Sequence, residues 1–101
     1  MIRLLAFDLD GTTITEHKYL SEKNREALLY AHAHGVELVP ATGRMRTFIP
    51  DAVAALPGVR YAITSNGAAV YELATGRALY QQLISPEKAR QVQELLDHYD
   101  V

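Results

Sequence analysis

Two carboxylates stand two residues apart where an apolar run ends: Asp8 and Asp10, in the segment FDLDGT. Residues i and i+2 of an extended chain face the same side, so both acids can serve one site. Asp8, ionised at neutral pH, is already a nucleophile and needs no base to activate it. A carboxylate attacking an anionic phosphate monoester needs a cation to offset the repulsion, and oxygen ligands in a chain without cysteine suit Mg²⁺. Asp10 is placed to protonate a leaving oxygen and later to take a proton from water. An aspartate of ordinary pKa (~3.9) is only about 0.1% protonated at pH 7, so the acid role needs an upward shift of roughly three units. A neighbouring carboxylate and partial burial push that way, and a bound cation pushes back. The plainer reading of DLDG is a polar turn after a strand, with Asp10-Gly11 as its corner.

Two further polar clusters follow, Thr42-Gly43-Arg44 and Asn66-Gly67, and each stands at the end of an apolar stretch. Thr42 precedes an expected helix N-terminus, where free N–H groups and the helix dipole favour an anion. Arg44 is read either as a contact to substrate or as a solvated arginine at a helix start. Asn66-Gly67 is read either as part of a site lining or as a turn.

The elements that must position these residues alternate. An apolar run from Met1 to Phe7 reads as a strand buried on both faces, and residues 10–20 read as loop. Ser21 as N-cap and Gly35 as C′ residue bracket a helix that turns Ala27, Leu28 and Ala31 inward. Val36 to Val39 is a second strand. A helix over residues 44–56, with Phe48, Ala52, Val53 and Leu56 on one face, has to accommodate Pro50 in a kink or its first turn. Tyr61 to Thr64 is a third strand. Residues 68–73 and 78–83 flank Ala74-Thr75-Gly76-Arg77 as a hairpin, with Tyr71 and Tyr80 packing beside it. Ser85-Pro86-Glu87 opens a last helix, with Ala89, Val92, Leu95, Leu96 and Tyr99 on a stripe fit for a core or an interface. Strands alternating with helices imply an α/β fold: a Rossmann-like, three-layer core around a parallel sheet. Ligands of such sheets bind beyond the C-terminal strand ends, where Asp8/Asp10, Thr42 and Asn66 fall.

Composition narrows the partners. A net charge of −2 with no basic stripe argues against nucleic acid and anionic membranes. The absence of cysteine removes disulfides, thiolate zinc sites and a thiol nucleophile, and fits a reducing cytoplasm. The N-terminus meets two carboxylates before a signal sequence could form, and no stretch has the ~20 apolar residues of a membrane span. The expectation is a soluble cytoplasmic protein. His32 and His34, two apart on a helix, do not share a face and make a poor metal site; His17 and His98 are isolated.

FDLDGT resembles the first motif of the haloacid dehalogenase-like hydrolases, and ATGR (Ala41 to Arg44) resembles the second. TSNGA (Thr64 to Ala68) is similar to a signature of the Cof-type branch of sugar-phosphate and nucleotide phosphatases; the hairpin and the helix opening with SPE match that branch as well. The resemblance implies Asp8 as nucleophile and metal ligand, and Asp10 as acid/base that lends its backbone carbonyl to Mg²⁺. It implies Gly11, Thr12, Thr42 and Gly43 around the phosphoryl group, with Arg44, Asn66 and Gly67 on the substrate side. It also implies a domain division: residues 1–82 as the N-terminal part of the core, and 83–101 as the start of a cap domain. The family's third motif, a lysine, and its fourth, an acidic pair, have no counterpart. Lys18, Lys23 and Lys88 lack the context, and Asp51, Asp97 and Asp100 read as solvated.

Two hypotheses follow. In the first, the chain is the N-terminal portion of a Mg²⁺-dependent phosphomonoester hydrolase acting on a phosphorylated small molecule through an aspartyl-phosphate, with little turnover alone; phosphotransfer at the same site is a variant of it. In the second, it is a non-catalytic phosphate-binding or oligomerising module that self-associates through an exposed sheet edge and the terminal helix.

Overall fold

The computed structural model describes residues 1–99. The three expected parallel strands lie side by side. Strand β1 (Leu4–Phe7) pairs in parallel with β4 (Glu37–Pro40), Leu5 opposite Leu38 and Phe7 opposite Pro40. Parallel bridges, Leu38 to Val59 and Ala41 to Ile63, join β4 to β5 (Tyr61–Thr64). Antiparallel β6 (Ala69–Glu72) and β7 (Arg77–Gln81) continue from β5 as the expected hairpin. This is a small α/β fold, the beginning of a Rossmann-like sheet with an antiparallel extension.

Helix α1 (Glu22–Ala33) begins and ends where its punctuation says. Ser21 Oγ accepts the Asn24 N–H at 3.1 Å. Gly35 follows at φ +83°, a conformation cheap for glycine alone. Leu28 is buried, with Leu29 and Ala31 partly so, whereas Ala27, expected inward, is exposed. The core gathers Phe7, Leu9, Ile14, Leu28, Leu38, Ile49, Val53, Leu56, Val59 and Ala62 around the strand ends.

Three expectations are corrected. Strand β1 is not buried on both faces: Leu4 and Leu5 are exposed and only Phe7, at its end, is buried, because β1 has one neighbour, β4, and little packs over its first residues among the described residues. Residues 10–20 are not simple loop. Strands β2 (Ile14–Thr15) and β3 (Tyr19–Leu20) form a small antiparallel hairpin, turning at Glu16 and His17 with φ of 51° and 64°. The helix over 44–56 breaks into a 3-10 turn (Arg46–Phe48) and a single α-turn, α2 (Asp51–Ala54). The cause is Pro50: it has no N–H to give, and it holds Ile49 extended at φ −70°, ψ 126°. Ile49, Val53 and Leu56 then face the core, while Phe48 and Ala52 turn outward.

Helix α3 (Pro86–Asp97) is capped by Ser85 Oγ, which accepts the Lys88 N–H at 3.2 Å. Its stripe is not core: Val92, Leu95, Leu96 and Tyr99 are all exposed, as is Tyr80, expected to pack on the hairpin. The chain is correspondingly extended, with a radius of gyration of 16.5 Å, where a compact domain of this length has about 13 Å. No helix of the described residues is long and apolar enough to cross a membrane.

Candidate active site

Alternation at the end of β1 buries Leu9 completely and leaves Asp8 and Asp10 exposed on the other side. The carbonyl of Leu9 accepts the N–H groups of Thr12, Thr13 and Ile14 at 2.9–3.1 Å. Gly11, at φ +75°, returns its own N–H to the Ile14 carbonyl. The loop is therefore closed on itself, and Gly11 faces open space. Asp8 is held at both oxygens: Oδ1 accepts the Leu9 N–H at 2.9 Å and Oδ2 the Thr12 hydroxyl at 3.1 Å. Thr12 thus grips the nucleophile candidate itself.

The second and third clusters are zipped to the first through the backbone. The Ala41 N–H donates to the Phe7 carbonyl (2.9 Å), the Thr42 N–H to Ile63 (2.9 Å) and the Asn66 N–H to Thr42 (3.2 Å). Thr42 is buried, and its Oγ1 accepts the Arg44 N–H at 3.0 Å. That bond uses a lone pair and leaves the hydroxyl proton to donate to an anion. No helix N-terminus backs Thr42, contrary to expectation, since the first turn after it is the short 3-10 segment beyond Met45. The anion would be met by the hydroxyl and by the neighbouring Gly43 N–H.

Ser65, Asn66 and Gly67 all have positive φ, of 51°, 56° and 94°. Non-glycine residues in that region cost energy and persist where surrounding structure over-determines them. Here the clamps are Ser65 N–H to the Arg44 carbonyl (2.9 Å) and Asn66 N–H to Thr42. The Asn66 amide lies against Gly43, so that a Cβ there would meet Oδ1 at 2.8 Å.

Arg44 is neither solvated nor free to reach outward. Nε and Nη2 donate to the two Asp10 oxygens at 2.8 and 2.6 Å, Nη1 donates to the Phe48 carbonyl at 2.7 Å, and Nη2 also reaches the His17 carbonyl. One guanidinium ties the β1 loop, the β2–β3 turn and the 3-10 turn together. The hydrogen bonds from Arg44 hold the Asp10 carboxyl down at about 2; partial desolvation opposes them, and the weaker His17 contact at 3.3 Å assists. The upward shift that an acid role needs is reversed in this arrangement. Sequence reasoning missed the pair because its partners are 34 residues apart. It missed the β2–β3 hairpin because its turn contains no glycine.

Mg²⁺ fits this donor set in part. The Asp8 carboxylate and the Asp10 carbonyl are hard oxygens, but the Asp10 side chain is taken by Arg44. Among the described residues no group of three His, Cys, Asp or Glu side chains could hold a metal ion. Asp51 and Asp97 are exposed, as expected, and Lys18, Lys23 and Lys88 are exposed as well. Asp100 lies outside the described residues. His34 bonds the Tyr30 carbonyl and His98 caps α3.

Comparison with known proteins gives one answer. The profile of the haloacid dehalogenase-like hydrolases matches residues 5–101. A pyridoxal phosphate phosphatase of Escherichia coli is 33% identical over 99 residues, which cover 98% of this chain and 36% of that protein. An HMP-PP phosphatase of Cronobacter sakazakii is 34% identical over 92 residues, 91% of this chain and 34% of that protein. Among solved structures, a haloalkanoate-superfamily phosphatase of Bacteroides thetaiotaomicron superposes with a TM-score of 0.86 at 29% identity, covering 99% of this chain and 37% of that one. The chain thus spans about a third of the length of the relatives it matches, corresponding to the N-terminal part of their fold.

Proposed function

The chain belongs to the haloacid dehalogenase-like hydrolases, and from that premise we propose that it carries the nucleophile and phosphate cradle of a Cof-type, Mg²⁺-dependent phosphomonoester hydrolase. The observation that carries this reading is the setting of Asp8: exposed at a strand end, fixed at both oxygens, and next after Phe7 in the parallel register that pairs Phe7 with Pro40, so that the chain opposite runs on into Ala41, Thr42 and Gly43. An Asp8 oxygen attacks phosphorus as the bond to the leaving oxygen breaks, giving an aspartyl-phosphate. Thr42 and Gly43 hold a non-bridging oxygen. Water then attacks phosphorus, its proton passes to Asp10, and Asp8 and inorganic phosphate are released. Arg44 keeps Asp10 ionised, the form this second step uses; protonating the leaving oxygen in the first step requires that grip to loosen. The Asp8 carboxylate and the Asp10 carbonyl would hold Mg²⁺, which would supply the positive charge that two approaching anions need.

The substrate is a phosphorylated small molecule, a class supported by the names of the relatives, and the setting is cytoplasmic. Residues 1–82 belong to the core and 83–101 open a second, cap domain, a division supported by the exposure of α3. The test is titration of the chain with Mg²⁺ and beryllofluoride, a phosphoryl mimic, followed at Asp8. Saturable adduct formation is expected in the wild type and none in Asp8→Asn. An adduct that survives Asp8→Asn overturns the assignment.

The uncovered stripe of Val92, Leu95, Leu96 and Tyr99, with the open edge of β1, favours a second reading. On it the chain is a phosphate-binding module that self-associates without turning over. A monodisperse oligomer that forms no beryllofluoride adduct selects it.

A further inference from the structure

A buried hydroxyl without a partner stands beside the cradle. Thr64 ends β5 and is fully buried, and its Oγ1 meets no hydrogen-bonding group among the described residues. A hydroxyl kept from water and left unpaired destabilises the fold, whereas a valine of nearly the same shape would carry no such cost. Such a group calls for a use.

The register supplies one. Ala41 bridges Ile63 in parallel, so the next level of the two chains sets Thr42 beside Thr64. Neighbouring strands lie about 4.8 Å apart, and residues level with one another face the same side of a sheet. Both threonines are buried. The backbone between them is fixed: the Thr42 N–H donates to the Ile63 carbonyl at 2.9 Å and the Asn66 N–H to the Thr42 carbonyl at 3.2 Å. On its other side Thr64 is paired with Ala69 of β6. What stays adjustable is the Thr64 side-chain torsion. Thr42 Oγ1 has given one lone pair to the Arg44 N–H, at 3.0 Å, and its second lone pair is open. A hydroxyl that donates to an anion also becomes a better acceptor, the more so in a dry interior.

We infer that Thr64 is a positioning residue of the cradle: with a phosphoryl oxygen in place, its hydroxyl donates to Thr42 Oγ1 and so aims the Thr42 proton at that oxygen. This rests on the reading of Thr42 as a phosphoryl contact. The penalty of the buried hydroxyl, present in the anion-free chain, is then relieved on binding.

The test titrates inorganic phosphate into the ¹⁵N-labelled 101-residue chain, follows the Thr42 and Gly43 amides, and measures urea denaturation of the same variants without phosphate. Thr64→Val should weaken phosphate about fivefold, the worth of one neutral hydrogen bond, and raise the urea midpoint. Thr64→Ser keeps the hydroxyl and loses a buried methyl, so it should bind within about twofold of the wild type while its midpoint falls. Affinity and stability would thus move in opposite senses, which a residue that only supports the fold does not produce. In a Thr42→Val background, Thr64→Val should weaken phosphate no further. Wild-type affinity in Thr64→Val overturns the inference, as does a lowered midpoint in that variant. So does a loss in Thr64→Ser equal to that in Thr64→Val, or a loss that persists undiminished in the Thr42→Val background. Failure of the parent reading looks different: phosphate would then move neither the Thr42 nor the Gly43 amide of the wild type, and Thr42→Val would not weaken it.

Discussion

The loops that close the strand ends and the arm beyond Gln81 are built from the same local signals, yet only the loops are locked by the rest of the chain. In the loops, Leu9 and Ile14 are fully buried, Thr42 nearly so, and hydrogen bonds from three segments converge. In the arm, helix α3 has a serine cap, a proline at its start and an acidic first turn, and it buries no residue. Local punctuation suffices to shape a helix; tertiary burial decides what holding that shape contributes to stability. The loops at the strand ends need the second kind of support, because their left-handed residues would relax without it.

Truncating one leucine in each region gives the widest separation. Leu9→Ala should cost about 3 kcal/mol, as for a fully buried leucine that leaves a cavity. Leu95→Ala on α3 should stay within about 0.5 kcal/mol, as for an exposed site. Urea denaturation of both variants measures the contrast, and a large loss at Leu95 would mean that α3 is buried in solution. Capping sharpens the same point at smaller scale. Ser21→Ala should cost global stability about 1 kcal/mol. Ser85→Ala, which removes the same bond from α3, should speed amide exchange in α3 while leaving the global unfolding midpoint in place.

The mildest effect concerns acid. Asp10 is held at about 2 against an ordinary 3.8, so its pairing with Arg44 favours the folded state fully above that ordinary value. The contribution fades as pH falls from about 4 toward 2. Glu37, drawn down by the Arg60 bidentate contact, acts in the same direction. Asp10→Asn should therefore flatten the acid limb of the stability profile between those pH values and leave the arm unaffected. An unchanged limb would show that the Asp10–Arg44 pair is not formed in solution.

Much of this was legible in the residues, and the misses share a cause. The three parallel strands, the hairpin and both capped helices follow from apolar runs and from Ser21, Gly35, Gly76 and Ser85, whose effects act within a few residues. The convergence of Asp8, Thr42 and Asn66 follows from the parallel topology. The Arg44 clamp was hidden, because nothing near Arg44 announces a partner on another loop. Phe48 and Ala52 were turned the wrong way because a helical period was continued through Pro50, which resets it. The exposure of Leu4, Leu5 and the α3 stripe was hidden too, since an apolar pattern says which face wants cover and not whether cover is there.

The contact between Gly43 and the Asn66 amide has an evolutionary reading. A methyl group at position 43 would meet only the tip of a side chain, so the backbone could stay put while the amide swung aside. The two positions are therefore expected to be coupled: alanine at 43 would leave the backbone in place but push the Asn66 amide aside, and a shorter residue at 66 would relieve the contact.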